Sequence, residues 1–246
     1  MLQKVLISAP TASIKNYCFD EWIENVSRFT YPSFEVVLFD NTDDGGENAI
    51  YLNETYKKTY GNIGKFTCLK SETNSQMDVM ETLAVSHNDC RSYCINGGYD
   101  YLLHLETDVL PETDVIERLL SFNKNIVGGL YYIDEGIGRR LMAQQYIYRG
   151  HMQSKGVNFS TKDDSYFIDG SLKHVFHIGL GCILIKKPIL NKIVFRSQKG
   201  VFQAPDGYFA QDCKANGIDI YCDTSLICKH KNGNWDKQLL KTNYKL

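Results

Sequence analysis

Two carboxylates two residues apart, Glu106 and Asp108, follow directly on the apolar run Tyr101-Leu102-Leu103-His104-Leu105. A buried strand ending in Glu-Thr-Asp delivers both acids to the carboxyl edge of a sheet, where open α/β folds bind their ligands. Paired hard oxygen donors there suit Mg²⁺ or Mn²⁺, ions that commonly bridge to substrate phosphates. The chemistry open to them is metal-assisted work on a nucleotide-linked substrate. Strand-end acids that merely cap a turn or the next helix give the same pattern.

Other residues could join this pair. Asp40-Asn41 closes a second apolar run, where an acid can accept a hydrogen bond from a base imide or a ribose hydroxyl; an Asp-Gly-rich surface turn is the alternative. Arg91 lies on a helical stretch and could meet diphosphate oxygens, or serve in a surface ion pair. The block from Pro205 to His230 carries Asp206, Asp212, Gly217, Asp223 and His230. His87, His104, His151, His174 and His177 read as structural. His104 is the best placed to depart from that role, because it should share a strand face with Glu106. Trp235 either stacks on a sugar or anchors the terminus.

The elements that must position these groups alternate. Strand patterns at 4–8, 34–39, 65–70 and 101–105 are separated by helical patterns at 13–28, about 47–60 and 77–95, the last stopped by Gly97-Gly98. Such alternation predicts right-handed crossovers and a mostly parallel sheet. Beyond Pro111 come a helix to Leu120, a strand at 126–132, and a polar stretch at 134–170 read as a hairpin plus a mobile loop. A Gly-interrupted strand at 175–185, a helix at 206–216 and a short strand at 219–222 complete the order. The sheet is expected to begin parallel and become mixed. No linker divides the chain, so one domain over 1–246 is expected, with a nucleotide-binding half to about 110 and an acceptor-binding half beyond.

Composition narrows the partners. At 246 residues and 43% hydrophobic, the chain can bury a sizeable core. A net charge of −2 gives no global field for nucleic acid or an anionic membrane. No apolar run approaches the roughly 20 residues that span a bilayer, and no signal peptide is expected before the first strand. The eight cysteines form no C-x-x-C and no zinc spacing. Cys90 and Cys94 could make half a metal site, but free buried thiols in a reducing cytoplasm are the expectation.

Taken in order, these motifs resemble the nucleotide-sugar glycosyltransferases of the GT-A fold, above all the family 2 transferases related to cellulose synthase. Ser8-Ala9-Pro10-Thr11 is similar to that family's base-contacting turn, and Asp40 with Asn41 to its uracil-reading acid. Arg91 is similar to an arginine on the helix before the metal motif, one residue out of register. Glu106-Thr107-Asp108 resembles the Asp-x-Asp motif, with Glu in place of the first acid. In the later motif, Asp206 stands for the acid and Phe209 for the aromatic, while Pro205 replaces the usual Glu.

The resemblance implies an α/β fold, Rossmann-like, with a smaller acceptor-side sheet. It implies that Asp108 binds Mn²⁺ or Mg²⁺, that Glu106 touches the ribose or reaches the metal through water, and that His230 completes the coordination. Asp206, or Asp212 as its rival, would be the general base for an acceptor hydroxyl, suited to this if burial raises its pKa. Gly179-Leu180-Gly181-Cys182 would floor the acceptor pocket. The implied activity is inverting transfer from a UDP-sugar. The alternatives are a sugar nucleotidyltransferase, against which the absence of a Gly-rich basic loop after the first strand counts, and a non-catalytic carbohydrate-binding protein of the same fold.

Overall fold

In the computed structural model, the described residues are 2–57, 63, 66–134, 139–149, 152–158 and 164–231. The strands are β1 (Val5–Ser8), β2 (Pro10–Thr11), β3 (Phe34–Asp40), β4 (Phe66–Lys70), β5 (Tyr101–Leu105), β6 (Val109–Leu110), β7 (Ile126–Leu130), β8 (Tyr132–Asp134), β9 (Arg139–Leu141), β10 (Ala143–Arg149), β11 (Met152–Asn158), β12 (Leu172–Val175), β13 (His177–Ile178), β14 (Cys182–Lys186), β15 (Ile220–Ile227) and β16 (Lys229–His230). The α-helices are α1 (Phe19–Ser27), α2 (Glu47–Thr55), α3 (Val79–Asn96), α4 (Val115–Ser121), α5 (Asp164–Phe167), α6 (Lys187–Leu190) and α7 (Pro205–Ala215), with a 3₁₀ helix over Ser13–Cys18.

A nine-stranded sheet runs β12-β15-β7-β14-β5-β1-β3-β2, with β4 also on β3. Strands β5, β1, β3 and β4 pair in parallel, and the antiparallel β14 joins β5 to β7. The sheet thus begins parallel and becomes mixed, and strands from both halves of the chain share it. Alternate residues of each strand enter opposite cores. Val5, Ile7, Val36, Leu38 and Leu103 meet α1, whereas Leu6, Val37, Phe39 and Leu102 meet α3. This two-sided burial explains why the strands read as continuous apolar runs.

Helix α1 buries Phe19, Trp22, Ile23 and Val26 at helical spacing. Each aliphatic or Phe side chain removed from water there contributes roughly 1.5–3 kcal/mol. Helix α3 starts at a capping box between Asp78 and Glu81. A smaller sheet, β11-β10-β13, stands apart from the main one.

Several boundaries differ from expectation. The stretch 13–28 is not one helix; it runs as a 3₁₀ helix to Cys18 and only then as α1. Strand β15 continues to Ile227 instead of stopping at 222, because Asp223 is buried inside it with its charge matched by Arg118 Nε at 2.6 Å. Parts of 134–170 and all of 232–246, including Trp235, lie outside the described residues, as does His151.

Candidate active site

The parallel strands bring their carboxyl ends to one edge. Thr11 pairs with Asp40 in register, and the Thr11 and Thr107 hydroxyls stand 3.4 Å apart. After β5, a turn closed by Val109 N–H donating to Glu106 O aims Glu106 and Asp108 off the strand. The two-residue pairing of β6 with β16 sets His230 opposite Val109, and Lys231 N–H donates to Asp108 O at 2.7 Å. His230 Nε2 consequently lies 3.6 Å from Asp108 Oδ2. Residues 106, 107, 108 and 230 are therefore neighbours, and Thr11, the register partner of Asp40, stands beside Thr107.

A residue that the sequence reading passed over reaches the same acids. Lys15 Nζ lies 3.1 Å from Asp108 and 3.4 Å from Glu106, with only 16% of its side chain exposed. Burial alone would push the Asp108 carboxyl up, but Lys15 and then His230 override it and hold the group well below the usual carboxylate range. At Glu106 the balance tips the other way: burial dominates and raises its pKa against the pull of Lys15.

The donor types, two carboxylates and an imidazole, suit a hard divalent cation. Asp108 Oδ2 is buried, with the Lys15 ammonium at 3.1 Å, the His230 imidazole nitrogen at 3.6 Å and the Glu106 carboxylate nearby. Among the described residues, however, no three His, Cys, Asp or Glu side chains are gathered tightly enough for a metal ion. Cys90 and Cys94 are buried in the core and make no part of such a site. Asp40 has an open valence. Its Oδ1 accepts from Thr42 and Asn48, whereas its buried Oδ2 accepts nothing, and burial raises its pKa. Asn41 reaches the Ser86 hydroxyl through its amide.

Two further residues, both missed in the sequence, lie close to His230 and Asp206. Tyr131 is buried, its ring 5.3 Å from that of His230, and its hydroxyl accepts from Gly181 N–H at 3.2 Å. Burial first, then the charges of Glu106 and Asp206, push its phenol well above its ordinary value, so it stays neutral. Gly181 is glycine because a Cβ there would sit 2.6 Å from the Tyr131 ring. His177 Nε2 lies 3.2 Å from Asp206 Oδ2.

Asp206 differs from expectation. Burial does push its pKa up, but His177 and the Gly207 N–H outweigh burial, so the net shift is downward. Asp212, the rival base, is held by both Nε and Nη2 of Arg196 at 2.7 and 2.9 Å. Arg91 does not join the acids in this arrangement: its Nε donates to the Leu190 and Ile193 carbonyls and anchors the turn after α6. Cys182 is fully buried within β14, so only the backbone of that stretch can face a ligand.

His104 is a core residue, as expected. Its Nδ1 faces the Leu180 carbonyl at 2.6 Å and must therefore carry the proton, leaving Nε2 to accept from His87 Nδ1 at 2.8 Å. Burial lowers His104 to about 4.

This architecture is the GT-A fold found in nucleotide-sugar glycosyltransferases. The chain is similar to GalNAc-T7 solved with UDP, GalNAc and Mn²⁺, at a TM-score of 0.64 and 11% identity, over 93% of this chain and 44% of that one. It is also similar to S. aureus TarS 1-349 in complex with UDP-GlcNAc, at a TM-score of 0.55 and 14% identity, over 94% of this chain and 59% of that one. The chain thus spans about half the length of these structures, and at such identities the likeness establishes the fold. No protein-family model matches the chain, and no curated protein matches it in sequence. Among the described residues no helix is long and apolar enough to cross a membrane.

Proposed function

We propose that this protein transfers a sugar from a nucleoside-diphosphate sugar, with UDP-sugars favoured, to an acceptor hydroxyl, with inversion at the anomeric carbon. The observation that carries this reading is the meeting of Glu106, Asp108 and His230 at the carboxyl edge of a GT-A sheet, with Asp206 and Tyr131 on the acceptor side. The neighbours' UDP and UDP-GlcNAc ligands support a uridine donor.

Asp108 and His230, with Glu106, would hold Mn²⁺ or Mg²⁺. When bound, such an ion offsets the charge that grows on the departing diphosphate. Asp40 Oδ2 would accept from the base imide, beside Pro10, Thr11 and Asn41. Thr107 holds its hydroxyl next to Thr11, fixing the strand ends against each other. Asp206, kept ionised by His177, would take the proton of the attacking hydroxyl. Tyr131 excludes water from the space between the two sets of acids. Gly181 would offer its backbone to the acceptor. Eight free buried thiols support a reducing, cytoplasmic setting.

The test is release of nucleoside diphosphate from a panel of UDP- and GDP-sugars with Mn²⁺. Release from at least one donor, increased by an acceptor, is expected. Donor binding by calorimetry without release from any donor would favour the non-catalytic alternative.

A further inference from the structure

We propose that the Lys15 ammonium and the divalent cation are alternative occupants of the Glu106–Asp108 carboxylate pair, and that the donor diphosphate receives Lys15 when the ion displaces it. This deepens the reading above and rests on its cation site.

Lys15 sits at the middle of the 3₁₀ helix that follows β2, so its backbone is placed by the strand that also carries Thr11. Its Nζ stands 3.1 Å from each Asp108 oxygen and 3.4 Å from Glu106 Oε2. A divalent ion bound to Asp108 Oδ2 at its usual distance of roughly 2.1 Å would meet the ammonium as a like charge in a poorly hydrated cleft. The ammonium and the ion cannot share that space, since Lys15 Nζ already stands 3.1 Å from the same oxygen. The side chain must instead swing away on its four methylenes, leaving two carboxylates. Metal binding alone therefore separates one buried ion pair to form another contact. A nucleoside diphosphate held on the far side of the ion supplies Lys15 with a new anion.

The consequence is linkage. An ion and a nucleotide that each relieve the cost of the other's binding must raise each other's affinity by the same factor. In the wild-type protein Mn²⁺ alone should bind weakly, and UDP should strengthen it strongly. In Lys15→Met there is no ammonium to displace and none to rehouse. Mn²⁺ should then bind the nucleotide-free protein about 10–100-fold more tightly, and UDP should strengthen it by a correspondingly smaller factor.

The experiment is calorimetric titration of Mn²⁺, with and without UDP, into wild type, Lys15→Met and Asp108→Ala, with a melting curve on each. Lys15→Gln gives the same comparison if the methionine variant fails to fold. Tighter Mn²⁺ binding together with reduced UDP coupling in the Lys15 variant is expected. Equal Mn²⁺ affinity in wild type and Asp108→Ala would overturn the cation site itself. Loss of Mn²⁺ binding in Asp108→Ala, with the Lys15 variant indistinguishable from wild type, would overturn the role of Lys15 alone. UDP binding that ignores Mn²⁺ but vanishes with Lys15 would show a lysine that replaces the ion, which also overturns the proposal.

Discussion

Asp40, at the end of one parallel strand, keeps a buried carboxylate oxygen that accepts no hydrogen bond, and Asp108, just past the end of another, rests against the Lys15 ammonium at 3.1 Å. Asp206 and Asp212, both on α7, each rest against a basic side chain, His177 Nε2 at 3.2 Å and Arg196 Nε at 2.7 Å. An unsatisfied buried acceptor costs about 1–3 kcal/mol, so the parallel edge holds a tension that a ligand can relieve. On the α7 side the buried groups that lack a hydrogen bond are the ring nitrogens of His177, not carboxylate oxygens. The parallel edge is suited to gain partners on binding, whereas on α7 His177 outweighs burial and holds the Asp206 carboxyl below its ordinary range. Lys15 fits this contrast as a provisional partner, its ammonium 3.1 Å from each oxygen of Asp108.

The largest expected effect tests the acceptor side. Asp206→Asn should lower turnover by about 10²–10⁴-fold while leaving UDP affinity unchanged by calorimetry. A comparable loss in Asp212→Asn would break the contrast, because Asp212 is assigned to Arg196.

Next comes pH. His104 titrates near 4 in the folded state and about 6.5 when unfolded. The folded state binds fewer protons between those values, so the contribution is complete above pH 6.5 and is lost as pH falls towards 4, amounting to about 3 kcal/mol. Urea unfolding across this window should show the slope in wild type and a shallower one in His104→Gln. Parallel slopes would mean that the imidazole pair does not couple folding to pH.

A smaller effect sharpens the role of Tyr131. Gly181→Ala places a methyl 2.6 Å from its ring, and overpacking of this kind costs about 1–3 kcal/mol. A melting temperature lower by roughly 2–4 °C per kcal/mol, with turnover reduced and UDP affinity retained, is expected. The smallest effect belongs to Asp212→Asn: Arg196 and Asp212 are partly exposed, at 44% and 27%, and such pairs contribute about 0–1 kcal/mol. Its turnover should stay within about twofold of wild type.

The comparison also explains what was legible in the chain. The donor edge rests on strands buried on both faces, whose apolar runs and terminal acids are local signals, so Asp40, Glu106 and Asp108 could be read directly. The order of helices and strands follows from the same periodicity. His230 beside Asp108 depends on two-residue strands too short to leave a pattern, and only the resemblance pointed there. Lys15 was hidden because 13–28 looks like one amphipathic helix with Lys15 on its polar face. The change to 3₁₀ geometry before Phe19 turns that lysine towards Asp108. Tyr131 read as the tail of a strand; the paired glycines at 179 and 181 were the available clue, since both make room for its ring. The partnership of His177 with Asp206 joins β13 to α7, a contact set by tertiary packing with no local trace. Arg91 misled for the opposite reason: its spacing suits a diphosphate, but its Nε is already held by two carbonyls.

The most direct test is a crystal soaked with Mn²⁺ and UDP and measured at the manganese absorption edge. The account predicts one anomalous peak touching Asp108 Oδ2 and His230 Nε2, with the diphosphate bound against it. A peak bound to neither residue, or UDP ordered elsewhere on the molecule, would contradict it.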